Sequence, residues 1–241
     1  MTAATQYIAY QATEDEKRRF LSRTYGWMAL ALVISAATAY FVSGNPTLLK
    51  LLWGGKAIGF WVLAISEIAL VFILSMNVHR FKSGTVKFFF VLYSIINGAT
   101  LASVFALFSM HDITQAFLCA ALLYAAMSLF GMKTGKNLAS WGRYLLMALL
   151  GLVIVAVVNM VITLITKQTL TWIDWVIDIA TIVIFTGLTA YDSQKILRAA
   201  EHADGSEAFQ KLAVYGALDL YLDFINIFLA ILRIFGRVRK N

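Results

Sequence analysis

Seven stretches of about 20 mainly apolar residues run through this 241-residue chain, each long enough to cross a hydrocarbon core at 1.5 Å rise per residue. The spacing predicts an all-α integral membrane protein with spans at 24–42, 57–78, 86–108, 113–130, 144–166, 172–191 and 212–235. The turn Ser43-Gly44-Asn45-Pro46 closes the first span, and a basic patch, His79-Arg80-Phe81-Lys82, follows the second. Residues 1–22 are polar and of mixed charge, without the apolar region of a signal peptide. They read as a cytoplasmic tail with an amphipathic lead-in to the first helix. The rest, 23–241, reads as a single transmembrane domain.

Composition agrees with the spans. Hydrophobic residues make up 61% and charged residues 14%, against about 25% charged in soluble domains. The net charge of +7 follows from membrane topology and needs no nucleic-acid partner. The lone Cys119 excludes an intrachain disulfide and a Cys-based metal site, and His79, His111 and His202 are scattered over loops. No phosphate loop, zinc-protease motif or nucleophilic triad is present, so the reading is non-enzymatic, without a cofactor. An intramembrane aspartyl protease would also use two acids, but its Gly-x-Gly-Asp motif is absent.

With the N-terminus inside, the cytoplasmic connections hold 13 of the 20 Lys and Arg, which favours that orientation. Arg233, Arg237, Arg239 and Lys240 dissent. Four basic residues in eight positions would prefer the cytoplasm and would make the last segment re-entrant. Its 24 residues favour a full crossing.

The informative residues are acids inside apolar helices, which cost at least about 2.5–3.5 kcal/mol on insertion scales and so mark sites of function. Glu67 is central in the second span, without a local cation, and is placed to line an ion path or to sit protonated against Asn97 or Asn159. Asp174 and Asp178 open the sixth span, where capping is the first reading and an outer cation vestibule the second. Asp192 closes that span. Asp219 and Asp223 share one face of the seventh, with Asn226 nearby. Two neighbouring carboxylates would share a proton, and when ionised would offer hard oxygen ligands to Ca²⁺. Counted from Lys195 and Lys211, Asp219 lies nearer in depth to Asp192 than Asp223 does, at about 12 Å against about 18 Å from Lys211.

Several of these stretches carry a resemblance. Gly216-Ala217-Leu218-Asp219-Leu220-Tyr221-Leu222-Asp223-Phe224-Ile225-Asn226, continuing to Leu232-Arg233-Ile234-Phe235-Gly236, resembles the Bax inhibitor-1 family. So do Phe185-Thr186-Gly187-Leu188-Thr189-Ala190-Tyr191-Asp192-Ser193-Gln194, Tyr25-Gly26-Trp27-Met28 and Met127-Ser128-Leu129-Phe130-Gly131, in the order of its bacterial branch. The resemblance implies seven helices with the last at the bundle centre. It also implies a pH-sensitive Ca²⁺ leak with a protective role under stress, in a bacterial inner membrane. By motif, the proton-sharing gating pair falls on Asp192 and Asp223. Apart from the resemblance, Asp219 on the same face reads as a transient Ca²⁺ ligand, and Arg80, with His79, reads first as a headgroup-facing anchor and second as a latch to the pair. Asp219 departs from the family, where a polar uncharged residue is usual at that position. The alternative implied by the family is a non-conducting protein that modulates a membrane quality-control protease through its exposed tails.

Overall fold

The computed structural model describes residues 11–54, 58–76, 81–167 and 171–238. All regular structure among these is helical: α1 (Glu14–Ser43), α2 (Pro46–Trp53), α3 (Ile58–Met76), α4 (Ser83–Leu107), α5 (Met110–Lys133), α6 (Ala139–Thr166), α7 (Thr171–Ala200) and α8 (Glu207–Val238). Six of them, α1 and α3 to α7, are long and apolar enough to cross a membrane. At eight residues α2 spans about 12 Å, whereas α8 runs for 32 residues with Asp219 and Asp223 near its middle.

The ends differ from the expected spans where local chemistry extends or interrupts a helix. Thr13 and Glu16 form a reciprocal capping box, so α1 begins within the supposed tail, at Glu14. The expected tight turn at Ser43–Pro46 instead starts α2, with Asn45 accepting from the Thr47 and Leu48 amides and Pro46 in the first turn. Beyond Lys195, α7 runs on to Ala200, and α8 begins four residues before Lys211. Helix α8 is unbroken for about 48 Å, so its backbone does not double back.

The chain forms two compact units. The first comprises residues 1–107 and 196–221, of which 11–54, 58–76, 81–107 and 196–221 are described. Here α1 buries Thr24, Met28, Ala31, Ser35, Ala39 and Val42, a repeat of three and four that makes one stripe. That stripe meets α4 closely because Gly98 has no side chain. A Cβ there would come within 2.6 Å of the Ser35 carbonyl oxygen. The Ser35 hydroxyl donates to the Ser94 carbonyl at 2.8 Å across the contact. At one end the Ala12 amide donates to the Glu201 carbonyl at 2.9 Å, and Glu207 accepts from the Ser83 amide at the start of α4.

The second unit comprises residues 108–195 and 222–241. Its α5 buries Asp112, Ala116, Ala120, Tyr124, Ser128 and Gly131, again one stripe and mostly small residues, the composition that lets membrane helices approach. Helix α6 is the opposite case, burying only Gly142 and Asn159 and exposing Leu150, Ile154, Val158 and Ile165. An apolar helix exposed all round belongs in lipid. The chain is a multi-pass membrane protein.

Candidate functional site

The site is built on the stretch of α7 up to Lys195 and the second half of α8, both within the second unit. Asp192 is 8% exposed. Its segment is fixed from both flanks. Gly131 of α5 lies so close to Ala190 that a Cβ would collide with the Ala190 carbonyl, and Gly142 of α6 lies against the Tyr191 ring. The Ser193 hydroxyl donates to Ser128 Oγ at 2.9 Å. Gln194 accepts from the Leu138 amide at 2.8 Å and donates to the Lys136 carbonyl at 2.9 Å, fastening the connection between α5 and α6. The Asp192 carboxylate, held on this rigid frame, has Lys195 Nζ 3.7 Å from Oδ1, one turn further along the helix.

Asp223 is 3% exposed on α8. Its neighbour Phe224 packs edge-to-face on Phe117 and Tyr124 of α5, with centroids 5.4 and 5.8 Å apart, which holds that turn of α8 in place. Asn226, three residues on, gives its side-chain amide to the Leu222 carbonyl of its own helix at 2.8 Å. Asp219 is half-buried and belongs to the first unit, whereas Asp192 and Asp223 belong to the second. The depth count from Lys195 and Lys211 loses its basis, because neither lysine marks a helix end. Among the described residues no group of three or more His, Cys, Asp or Glu forms a resident metal site.

The remaining acids have separate surroundings. Glu67 lies against Asn97, whose amide donates to Oε2 at 3.3 Å, and against Thr100, whose hydroxyl is 2.6 Å from Oε1. Of the two asparagines weighed from sequence, Asn97 is the partner. Asn159 donates instead to Asp174 at 2.9 Å. Arg80, read as an anchor or a latch, and His79 lie outside the described residues.

Asp178 corrects its first reading. It sits about two turns past the start of α7, beyond the first turn that holds Asp174, and is 1% exposed. Its Oδ1 accepts from Arg233 Nε at 2.7 Å, and its Oδ2 lies 2.6 Å from Arg237 Nη2. Arg237 also lies over the Trp175 ring, 5.7 Å from its centroid. Two of the four basic residues that dissented on orientation therefore share one buried carboxylate. The sequence held a signal for this: Arg233 and Arg237 are four apart and share a face of α8.

The profile of the family described as inhibitor of apoptosis-promoting Bax1 matches residues 17–240. Inner membrane protein YbhL of Escherichia coli strain K12 is 35% identical over 229 residues, covering 91% of this chain and 92% of that protein. Uncharacterized proteins of Borreliella burgdorferi and Deinococcus radiodurans are 35% and 34% identical, over 93% and 97% of this chain and 94% and 98% of theirs.

Proposed function

This chain belongs to the Bax inhibitor-1 family, and from that membership we propose that it is a pH-sensitive cation leak pathway, with Asp192 and Asp223 as its gate and Ca²⁺ as its ion. The observation that carries the proposal is the pair itself. Two carboxylates, 8% and 3% exposed, lie in one compact unit on helices whose other buried residues are mainly apolar. Such groups are costly at membrane depth and persist where they do work. A proton held between them removes one charge and ties α7 to α8. Its loss leaves two like charges and a set of hard oxygen ligands. Asp219 and Asn226 are the auxiliary polar groups along α8, and Ca²⁺ is a passing ligand of the acids and not a resident cofactor. The protein acts without catalysis.

The proposal includes seven crossings, with α8 as the seventh, enclosed by the other six. It is supported by the burial of α8, where Ala213, Val214, Ala217, Leu218, Leu220, Tyr221, Asp223 and Phe224 are all buried, as are Ile227, Ala230 and Leu232. A helix screened from lipid by protein can carry charges that a lipid-facing helix cannot. The name of the Escherichia coli relative supports an inner-membrane location, and the count of basic residues supports a cytoplasmic N-terminus. A second reading, modulation of a membrane quality-control protease, is favoured by the charged first turns of α1, where Asp15, Arg18, Arg19 and Arg23 stand exposed. In either reading the physiological role is protection under stress.

The test is Ca²⁺ entry into liposomes that hold the purified protein. Entry above that of empty liposomes, varying with pH, supports conduction. No excess at any pH sinks it and turns the search toward protein partners of α1.

A further inference from the structure

Glu67 differs from Asp178 and Asp192. Asp178 has Arg233 and Arg237, and Asp192 has Lys195, each within 4.0 Å. No basic side chain lies within that distance of Glu67 among the described residues. The residue is also the midpoint of α3, nine positions from Ile58 and nine from Met76, with about 13 Å of helix on each side. It is half-buried, and Ile65 and Ile68 beside it are 64% and 59% exposed, so this part of α3 opens toward lipid.

The hydrogens around it can be assigned in turn. Tyr221 donates to Asn97 Oδ1 at 2.7 Å, so Asn97 faces Glu67 with its amide nitrogen. Thr100 Oγ1 lies 2.6 Å from Glu67 Oε1 and 3.3 Å from the Ile96 carbonyl, and one hydroxyl hydrogen cannot serve both well. A proton on Oε1 resolves this. Glu67 then donates to Thr100, Thr100 donates to Ile96, and Asn97 donates to Oε2. Without that proton a full charge sits at mid-span, met only by neutral donors.

Among the described residues the surroundings offer no countercharge. The titratable neighbours are Tyr93 of α4 and Tyr221 of α8, which are 3% and 0% exposed. Helix α1 contributes Ser35, 2.7 Å from the Tyr221 hydroxyl and donating to the Ser94 carbonyl, and Lys50 of α2 is exposed with no ion pair among the described residues.

We propose that Glu67 is a membrane-embedded proton-binding site, its carboxyl hydrogen donated to Thr100, and that the hydrogen-bond chain from Tyr221 through Asn97 couples its occupancy to α8. The donors from Tyr221 to Asn97 and from Asn97 to Glu67 point toward the carboxyl group. A charge appearing there tightens the chain, because charge-assisted hydrogen bonds are the stronger kind. The site stands whether or not the protein conducts Ca²⁺.

The test uses the full chain in phosphatidylcholine liposomes with dicyclohexylcarbodiimide, an apolar reagent that adds to a protonated carboxyl and rearranges to a stable N-acylurea. Peptide mass spectrometry is expected to find the adduct on Glu67, declining as pH rises and absent in Glu67→Gln. Thr100→Val is expected to move the midpoint of that decline to higher pH, since the anion loses a donor. Infrared difference spectra of wild type against Glu67→Gln are expected to lose one protonated-carboxyl band. If that band is unchanged at neutral pH, the site is ionised and the proposal is overturned, whatever the reagent can reach. None of these readouts depends on ion flux, so a failed Ca²⁺ assay leaves the result intact.

Discussion

Tyr221 is 0% exposed and its hydroxyl donates to Asn97 Oδ1, so its removal strands that buried oxygen, while Ser35 keeps the Ser94 carbonyl. Tyr221→Phe is expected to cost about 1–3 kcal/mol in unfolding from detergent micelles, the usual penalty of an unmet buried partner. An unchanged stability would mean that Asn97 finds another donor. Gly131 and Gly26 make a contrasting pair. Gly131→Ala drives a Cβ into the Ala190 backbone and is expected to destabilise by about 1–3 kcal/mol. Gly26→Ala meets open space inside α1 and is expected to stabilise by about 0.5–1 kcal/mol. Asp178→Asn leaves two guanidiniums facing an amide. The expected loss is about 3 kcal/mol, the low end for a broken buried pair, because the Arg233 side chain is 42% exposed. Partial recovery in Asp178→Asn with Arg233→Gln would show that the lost stability is charge imbalance and not misfolding. At this scale sequence reading located the acids but not their company. Asp178 looked like a helix-start residue because burial and a partner 55 positions away leave no local pattern.

An element's ends depend on short-range chemistry, which sequence carries only when the motif is recognised. The Thr13–Glu16 capping box starts α1, and Thr13→Ala is expected to cost that first turn about 1 kcal/mol, read as faster amide exchange there and nowhere else. On the same turn, Lys17 lies 2.8 Å from Glu14, and its hydrogen bond holds the Glu14 carboxyl below the ordinary carboxylate range. A depressed acid contributes stability above its unfolded value and loses it as pH falls through the folded one, so acid should loosen this turn. In NMR titration Lys17→Ala is expected to return Glu14 to the range of a free glutamate. Apolar runs made the long helices legible, since α3 to α7 each contain their expected span nearly residue for residue. Helix α2 was missed because eight residues carry too little periodicity to separate from a turn. Helix α8 was found by its apolar run, yet it stands outside the six helices counted as apolar enough to cross. A buried helix is set apart by what surrounds it, which a hydropathy pattern does not record.

Across the whole molecule, the class was written in the composition, and the family in four short motifs spread along the chain. The partition of the acids was not. Asp219 and Asp223 are one turn apart on one helix face, yet they fall in different compact units, with Asp223 in the unit that holds Asp192. Helical spacing alone treats the two as equivalent. Which acid answers to Asp192 is therefore a question for flux. The decisive measurement is the pH profile of Ca²⁺ entry into liposomes, from about pH 5 to about pH 9, for wild type, Asp192→Asn, Asp223→Asn and Asp219→Asn. The account predicts a pH-dependent wild type, profiles flattened in Asp192→Asn and Asp223→Asn, and a response kept in Asp219→Asn. A full wild-type response in Asp192→Asn or Asp223→Asn, or its loss in Asp219→Asn alone, would contradict it.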